Sequence, residues 1–494
     1  MKIEKVLDGM EDKAQLHSKK VCLTLFYYWG VVGLGLASAV VGPTLETLGR
    51  ATEIHNIGVL SYIFVLRALF YFLGSTTAGW FVTKYGHGYE ILVGALAWSG
   101  GTLFFIPLIR GPKALFAAFC LQGLGSGVLT NIPQAMVIDL WGQKVGPFLQ
   151  ALHFFYGVGA TLAPLLVHSL LIRGVDDAST AVSATAASSA QVLVDRYVLG
   201  AYWWIAGYHI LGSVLMVYFV DIKRFVGDDT LSRNDRDEGN DLKKKEANID
   251  SVVLPGEESA LLPPSESSTS VTRRKEGNRK KSAFANPAST LTVILMSVFI
   301  FLYVGNEVAS GGLLFTFATR SAFAFPPTRA ALLTTTYWAS FSLGRLLSIP
   351  IAAVLSPKTL LTAALLGVFA SVVALRRSVG DDDAHREDGL LLTDGVVARS
   401  ITLLWISVCA LGMSNGPIYA SAIVVLEEHV QVTGNVISAI VAGDTLGEMV
   451  VPGYIGWGMA SYGPSFFVDG VAGASLSATA LYAAVYFFLL RARV

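Results

Sequence analysis

Asn131-Ile132-Pro133 is followed, 28 residues after its proline, by Thr161 in Gly159-Ala160-Thr161-Leu162; Asn415-Gly416-Pro417 is followed at the same spacing by Thr445 in Gly443-Asp444-Thr445-Leu446. The two stretches lie 284 positions apart with no gap between them. A second echo, Gly33-x-x-x-Ala37-Ser38 against Gly305-x-x-x-Ala309-Ser310, points the same way. The chain therefore reads as two related halves. What surrounds the echoes is apolar: of 494 residues 53% are hydrophobic and only 15% charged, where a soluble chain carries about 25% charge. A soluble core, a disordered chain and a fibrous chain are excluded. The formal net charge is zero, which argues against a nucleic-acid partner. Three cysteines, Cys22, Cys120 and Cys409, lie far apart in apolar runs, without disulfide or zinc spacing.

A bilayer core takes roughly 20 apolar residues as a helix. Twelve runs qualify, at about 21–42, 57–83, 89–109, 113–138, 148–172, 199–221, 288–312, 331–355, 359–376, 400–426, 435–458 and 470–491. Lipid offers the backbone no hydrogen-bond partner, so these runs must be helices packed on one another. The expectation is an all-α membrane protein of twelve transmembrane helices in two pseudo-symmetric six-helix bundles: a cytosolic segment 1–20, a bundle 21–221, a disordered cytosolic linker 222–287 and a second bundle 288–494. Residues 1–20 are polar and lack a short apolar core before a cleavage site, so the first run reads as an anchor. The linker holds Lys243-Lys244-Lys245, Arg273-Arg274-Lys275 and Arg279-Lys280-Lys281 among Ser, Glu, Asp and Pro, and cannot bury enough apolar surface to fold. Its Glu257-x-x-x-Leu261-Leu262 has the form of an acidic dileucine sorting signal. Lys and Arg concentrate in loops on the N-terminal side, which places both termini in the cytosol. Parallel repeats of this kind hold a solute near mid-bilayer between the halves and work by rocking.

Several phrases resemble the major facilitator superfamily, its fucose-permease-like branch and, within it, the sodium-dependent glucose transporter family. They are Gly42-Pro43-Thr44-Leu45, Leu66-Arg67-Ala68, Gln150-Ala151-Leu152-His153-Phe154 with Gly157-Val158-Gly159, Tyr303-Val304-Gly305-Asn306-Glu307 before Gly311-Gly312, Gly344-Arg345-Leu346-Leu347, and Gly447-Glu448-Met449. The resemblance implies a twelve-helix transporter of a monosaccharide, and covers most of both halves but not the linker. Two stretches depart from it. In Gly79-Trp80-Phe81-Val82-Thr83-Lys84-Tyr85-Gly86, Thr83 stands where the superfamily's gating motif has Asp. In Leu129-Thr130-Asn131-Ile132-Pro133-Gln134, Thr130 and Gln134 stand where the branch has an acid and an Asn. The second change removes the acid that cation coupling through this helix would use, and leaves sugar contacts in place.

Ionisable groups inside a span cost about 2.5–3.5 kcal/mol each to insert, so those retained are candidates for function: Arg67, Glu307, Arg345, Asp444 and Glu448. Asp444 and Glu448 are four apart and share a helical face. Two such carboxylates cannot both ionise at low cost, which suits proton coupling; their oxygens also suit Na+. The alternative is a structural charge pair of Arg345 with Glu448. Asn306 and Glu307, on a helix loosened by glycines, form the leading substrate-site pair, because amides and carboxylates hold sugar hydroxyls in fixed geometry. Asn131 with Gln134, Gln150 with His153, then Gln122, Asn415 and Trp338 complete the expected substrate contacts. An interhelical bond or interfacial packing is the competing role for each. Gly123-Leu124-Gly125-Ser126-Gly127 lacks the strand and lysine of a phosphate loop and reads as a helix-packing motif.

The reading is a secondary transporter or facilitator for a glucose-like hexose, working by alternating access, with no catalytic residue, metal site or cofactor beyond Na+ or H+ as coupling ion. The lipid bilayer and a small sugar are its partners, and a monomer suffices. The plasma membrane is the expected location, an endolysosomal membrane the alternative. A facilitator for a nucleoside, amino acid or organic anion, or a non-transporting receptor on the same fold, are the rival functions.

Overall fold

Twelve apolar runs must each close their own backbone hydrogen bonds, and they do so as helices. The computed structural model describes residues 2–85, 87–142, 145–181, 187–219, 287–352, 354–379, 394–430 and 434–487. The N-terminal half contains α1 (Lys2–Ala39), α2 (Val41–Ala51), α3 (Ile57–Leu60), α4 (Tyr62–Tyr85), α5 (Gly88–Phe105), α6 (Pro112–Trp141), α7 (Gly146–Ala181) and α8 (Ala187–Tyr218). The C-terminal half contains α9 (Pro287–Arg320), α10 (Pro327–Ala352), α11 (Pro357–Val379), α12 (Asp394–Asn415), α13 (Ile418–Glu427), α14 (Gly434–Tyr462) and α15 (Phe466–Val485). The expected linker, with its basic clusters and dileucine, lies outside the described residues except for Pro287.

Among the described residues, ten helical segments are long and apolar enough to cross a bilayer, and α10 and α14 complete the twelve. Those two are set apart by composition: α10 carries Thr334, Thr335, Thr336, Ser340, Ser342 and Arg345, and α14 carries Asp444, Thr445 and Glu448. Both line the interface between the halves. Three spans are broken. The first is interrupted at Val40, so that α2 follows α1; the second begins with the short turn α3; the tenth divides at Gly416-Pro417 into α12 and α13. Its counterpart α6 runs unbroken through Pro133, so the proline echo conceals a real difference between the halves.

The glycine echo has a packing cause. A Cβ on Gly159 of α7 would strike the Val32 carbonyl of α1, and one on Gly443 of α14 would strike the Ser297 carbonyl of α9. Equivalent positions thus press equivalent helix pairs together, as small residues do where lipid supplies no hydrophobic drive.

The halves meet where α7 packs on α10, α4 on α14, α2 on α9 and α3 on α14. Named contacts gather toward the end of the molecule built from α2 and α3. There Glu46 accepts a 2.6 Å bond from Arg320 Nε, His168 Nδ1 donates to the Thr328 carbonyl at 2.9 Å, Gly42 lies on the backbone of Gly311 and Gly312, and Ser61 lies against Gly456.

Candidate functional site

Arg67 projects from α4 into a neutral cradle. Its Nε donates to Gln122 Oε1 at 3.0 Å and an Nη donates to Ser38 Oγ at 2.6 Å. Gln122 is fully buried and passes its own amide hydrogen to Ser126 at 2.8 Å. All these partners belong to the N-terminal half. The glutamine therefore serves the guanidinium, since a charge partly withdrawn from solvent needs its hydrogen bonds satisfied.

Arg345 projects from α10 and joins the halves. One Nη stands 3.8 Å from Glu307 Oε1 on α9, another donates to the His153 carbonyl on α7 at 3.2 Å, and the guanidinium lies 4.2 Å over the Phe341 ring. The other Glu307 oxygen is 3.0 Å from the Tyr303 hydroxyl, which is also 2.6 Å from the Asn415 carbonyl. That hydroxyl has one hydrogen for two acceptors. Tyr337 donates to the Glu307 carbonyl at 3.3 Å and accepts from Asn415 Nδ2 at 3.4 Å. The pairing differs from the expected Arg345 with Glu448. Position explains it: α10 lies beside α9, which carries Glu307, whereas Glu448 sits on α14 beside α4 and comes within electrostatic reach of Arg67.

Asp444 and Glu448 are half-buried, and both lie within electrostatic reach of Glu307. Tyr71 on α4, Tyr156 on α7 and Tyr419 on α13 surround this group: Tyr71 and Tyr419 neighbour both Asp444 and Glu448, and Tyr156 neighbours Glu307, Glu448 and both arginines. Sequence reasoning missed these three tyrosines. Tyrosine is common at membrane interfaces, and only their helical phase relative to the carboxylates would have singled them out.

The other expected substrate contacts separate into two sets. Asn131 Nδ2 donates to the Ser75 carbonyl at 2.9 Å and to the Ser75 hydroxyl at 2.6 Å. Asn306 is buried and donates to Ser475 on α15 at 2.9 Å, away from Glu307. Asn415 holds Tyr337, and Trp338 is buried with its ring edge-on to Tyr337 and Tyr156. Gln122, Asn131, Asn306 and Asn415 are thus engaged within the protein. Gln134, Gln150 and the His153 ring are half-buried and have no protein hydrogen-bond partner among the described residues. Arg345 neighbours the His153 ring; Gln150 lies one turn before it on α7, and Gln134 near Asn131 on α6. Among the described residues, no three His, Cys, Asp or Glu side chains are placed to hold a metal ion. The Thr83 side chain of the departed gating motif lies outside the described ones.

A family model described as Major Facilitator Superfamily matches residues 27–452. The chain belongs to the Major Facilitator Superfamily. It is a multi-pass membrane transporter and not an enzyme. Among its relatives, Sodium-dependent glucose transporter 1 of Homo sapiens is 28% identical over 439 residues, 86% of this chain and 71% of the human one. Sodium-dependent glucose transporter 1A of Mus musculus is 27% identical over 442 residues, 87% of this chain and 88% of its own. Among solved structures, the xylose transporter XylE from E. coli, in a partially occluded inward-open conformation, aligns with a TM-score of 0.62 at 13% identity, covering 95% of this chain and 99% of its own. That likeness is one of fold: two six-helix bundles, as the twelve runs implied.

Proposed function

We propose that this superfamily member carries a glucose-like hexose across its membrane by alternating access, with a monovalent cation, H+ or Na+, as co-substrate. The observation that carries the reading is the charge cluster shared by the halves. Glu307, Asp444 and Glu448 face Arg67 and Arg345, three carboxylates against two guanidinium groups. Fully ionised, the cluster holds one negative charge in excess, which one cation or proton cancels. An uncharged polyol then binds without a further electrostatic penalty, its hydroxyls meeting carboxylate, tyrosine and amide groups. The half-buried Gln134, Gln150 and His153 suit that role because they have hydrogen bonds to offer. The names of the glucose-transporting relatives support hexose as the solute and Na+ as a candidate ion.

The test is counterflow of radiolabelled hexose in vesicles containing the purified chain. Wild type accumulates label, Glu307→Gln does not, and both reach the membrane equally. Equal counterflow by the variant removes Glu307 from the site. Loss of gradient dependence in Asp444→Asn or Glu448→Gln, with counterflow retained, identifies the coupling carboxylate; rates indifferent to Na+ replacement and to a proton ionophore leave a uniporter.

A further inference from the structure

One cavity is walled by both halves. It measures about 530 Å³ and lies in the seam where α3 and α4 meet α14, apart from the charge cluster. One end is polar: Asn56 stands just before α3 and Ser461 beside the last residue of α14. Asn56 Oδ1 caps the N–H groups of Gly58 and Val59 at 2.8 and 3.3 Å, leaving its amide nitrogen to donate. The other end is apolar and is formed by Val65, Val450 and Gly453. From Ser461 to Gly453 along α14 is about 12 Å. The gradient therefore runs from the end of the spans toward the hydrocarbon. Tyr62, Tyr454 and Trp457 line the same space and are each about half exposed, as aromatic side chains are at interfacial depth.

We propose that this cavity binds a membrane sterol, with its hydroxyl between Asn56 and Ser461 and its rings along the valine and glycine wall. Charge narrows the class to neutral amphiphiles: none of the described lining residues carries a charge, so a phosphate head group would sit there uncompensated. The transported polyol is excluded by the inner end, where its hydroxyls would find no partner. A rigid ring system gives up little conformational entropy on entering, where a flexible acyl chain gives up more. The walls come from different halves, so the occupant ties them together at the end where the named contacts gather.

The test uses the full chain in phosphatidylcholine vesicles with a photoreactive sterol probe and peptide mapping of the cross-link. The label is expected in the segments around 56–65 or 449–461, competed by unlabelled sterol and not by diacylglycerol or added phosphatidylcholine. Val450→Trp, which places an indole in the cavity from its lipid-facing rim, cuts labelling about tenfold. Leu446→Trp, one turn away on the same helix and also exposed, leaves it unchanged. Ser461→Ala, which disturbs no packing, raises the competing sterol concentration about fivefold. Label mapped elsewhere, equal competition by the glycerolipids, or full labelling in Val450→Trp overturns the proposal. None of these readouts requires transport, so they stand or fall independently of the solute.

Discussion

Four amides expected at the solute site are engaged in holding the helices, and two are not, which separates stability from affinity residue by residue. Gln122→Ala takes a hydrogen-bond acceptor from the half-buried Arg67 guanidinium, a loss of about 1–3 kcal/mol. A clear drop in melting temperature in detergent is expected, measured by a thermal-shift assay. Gln134→Ala and Gln150→Ala remove no protein hydrogen bond among the described residues; both should melt close to wild type and raise the KM for hexose roughly tenfold. A destabilised Gln150→Ala with an unchanged KM would place that residue among the structural amides. The difference between Asn306 and Glu307 has the same origin. Successive helical residues point about 100° apart, so one joins the charge cluster and the other meets Ser475 on α15.

At the level of helices, Glu46 on α2 pairs with Arg320 at the end of α9 and so joins the halves. Arg320 Nε is 2.6 Å from Glu46 Oε1, and Thr319 donates to the same oxygen at 3.3 Å. The arginine is 40% exposed, so the pair contributes no more than about 1 kcal/mol. Glu46→Gln is expected to shift the balance of conformations toward opening at this end by about fivefold at most. Labelling of a cysteine introduced at Ser321, which is buried beside Arg320, would report the shift. The exchanged pair Glu46→Arg with Arg320→Glu should restore the original rate. Helix contacts closed by glycine tolerate less. Gly443→Val would push α14 from the Ser297 carbonyl, and a loss of about 1–3 kcal/mol should appear as lower yield of folded protein on size-exclusion chromatography.

For the molecule entire, the proposed alternating access requires that the end closed here should also open. Ser61 lies against Gly456 across the α4–α14 seam. A cysteine at Ser61, which is buried, in a background lacking Cys22, Cys120 and Cys409, should react with a small thiol reagent only when this end opens, and its modification should block counterflow; full protection during transport would rule out opening at this seam. Twelve spans, their helical state and the doubled plan were readable from residue order alone, because the cost of an unpaired backbone in lipid acts on each run separately and the echoes of Gly159 at 443 and Pro133 at 417 preserve spacing. The ionisable candidates were readable too, since a charge within an apolar run is costly wherever it occurs. The partners of those charges were not. That Arg345 meets Glu307, that Arg67 is held by Ser38 and Gln122, and that Tyr71, Tyr156 and Tyr419 surround Asp444 and Glu448 all depend on the rotation of helices distant in sequence. Lipid has no preference among those rotations; packing between the helices sets them.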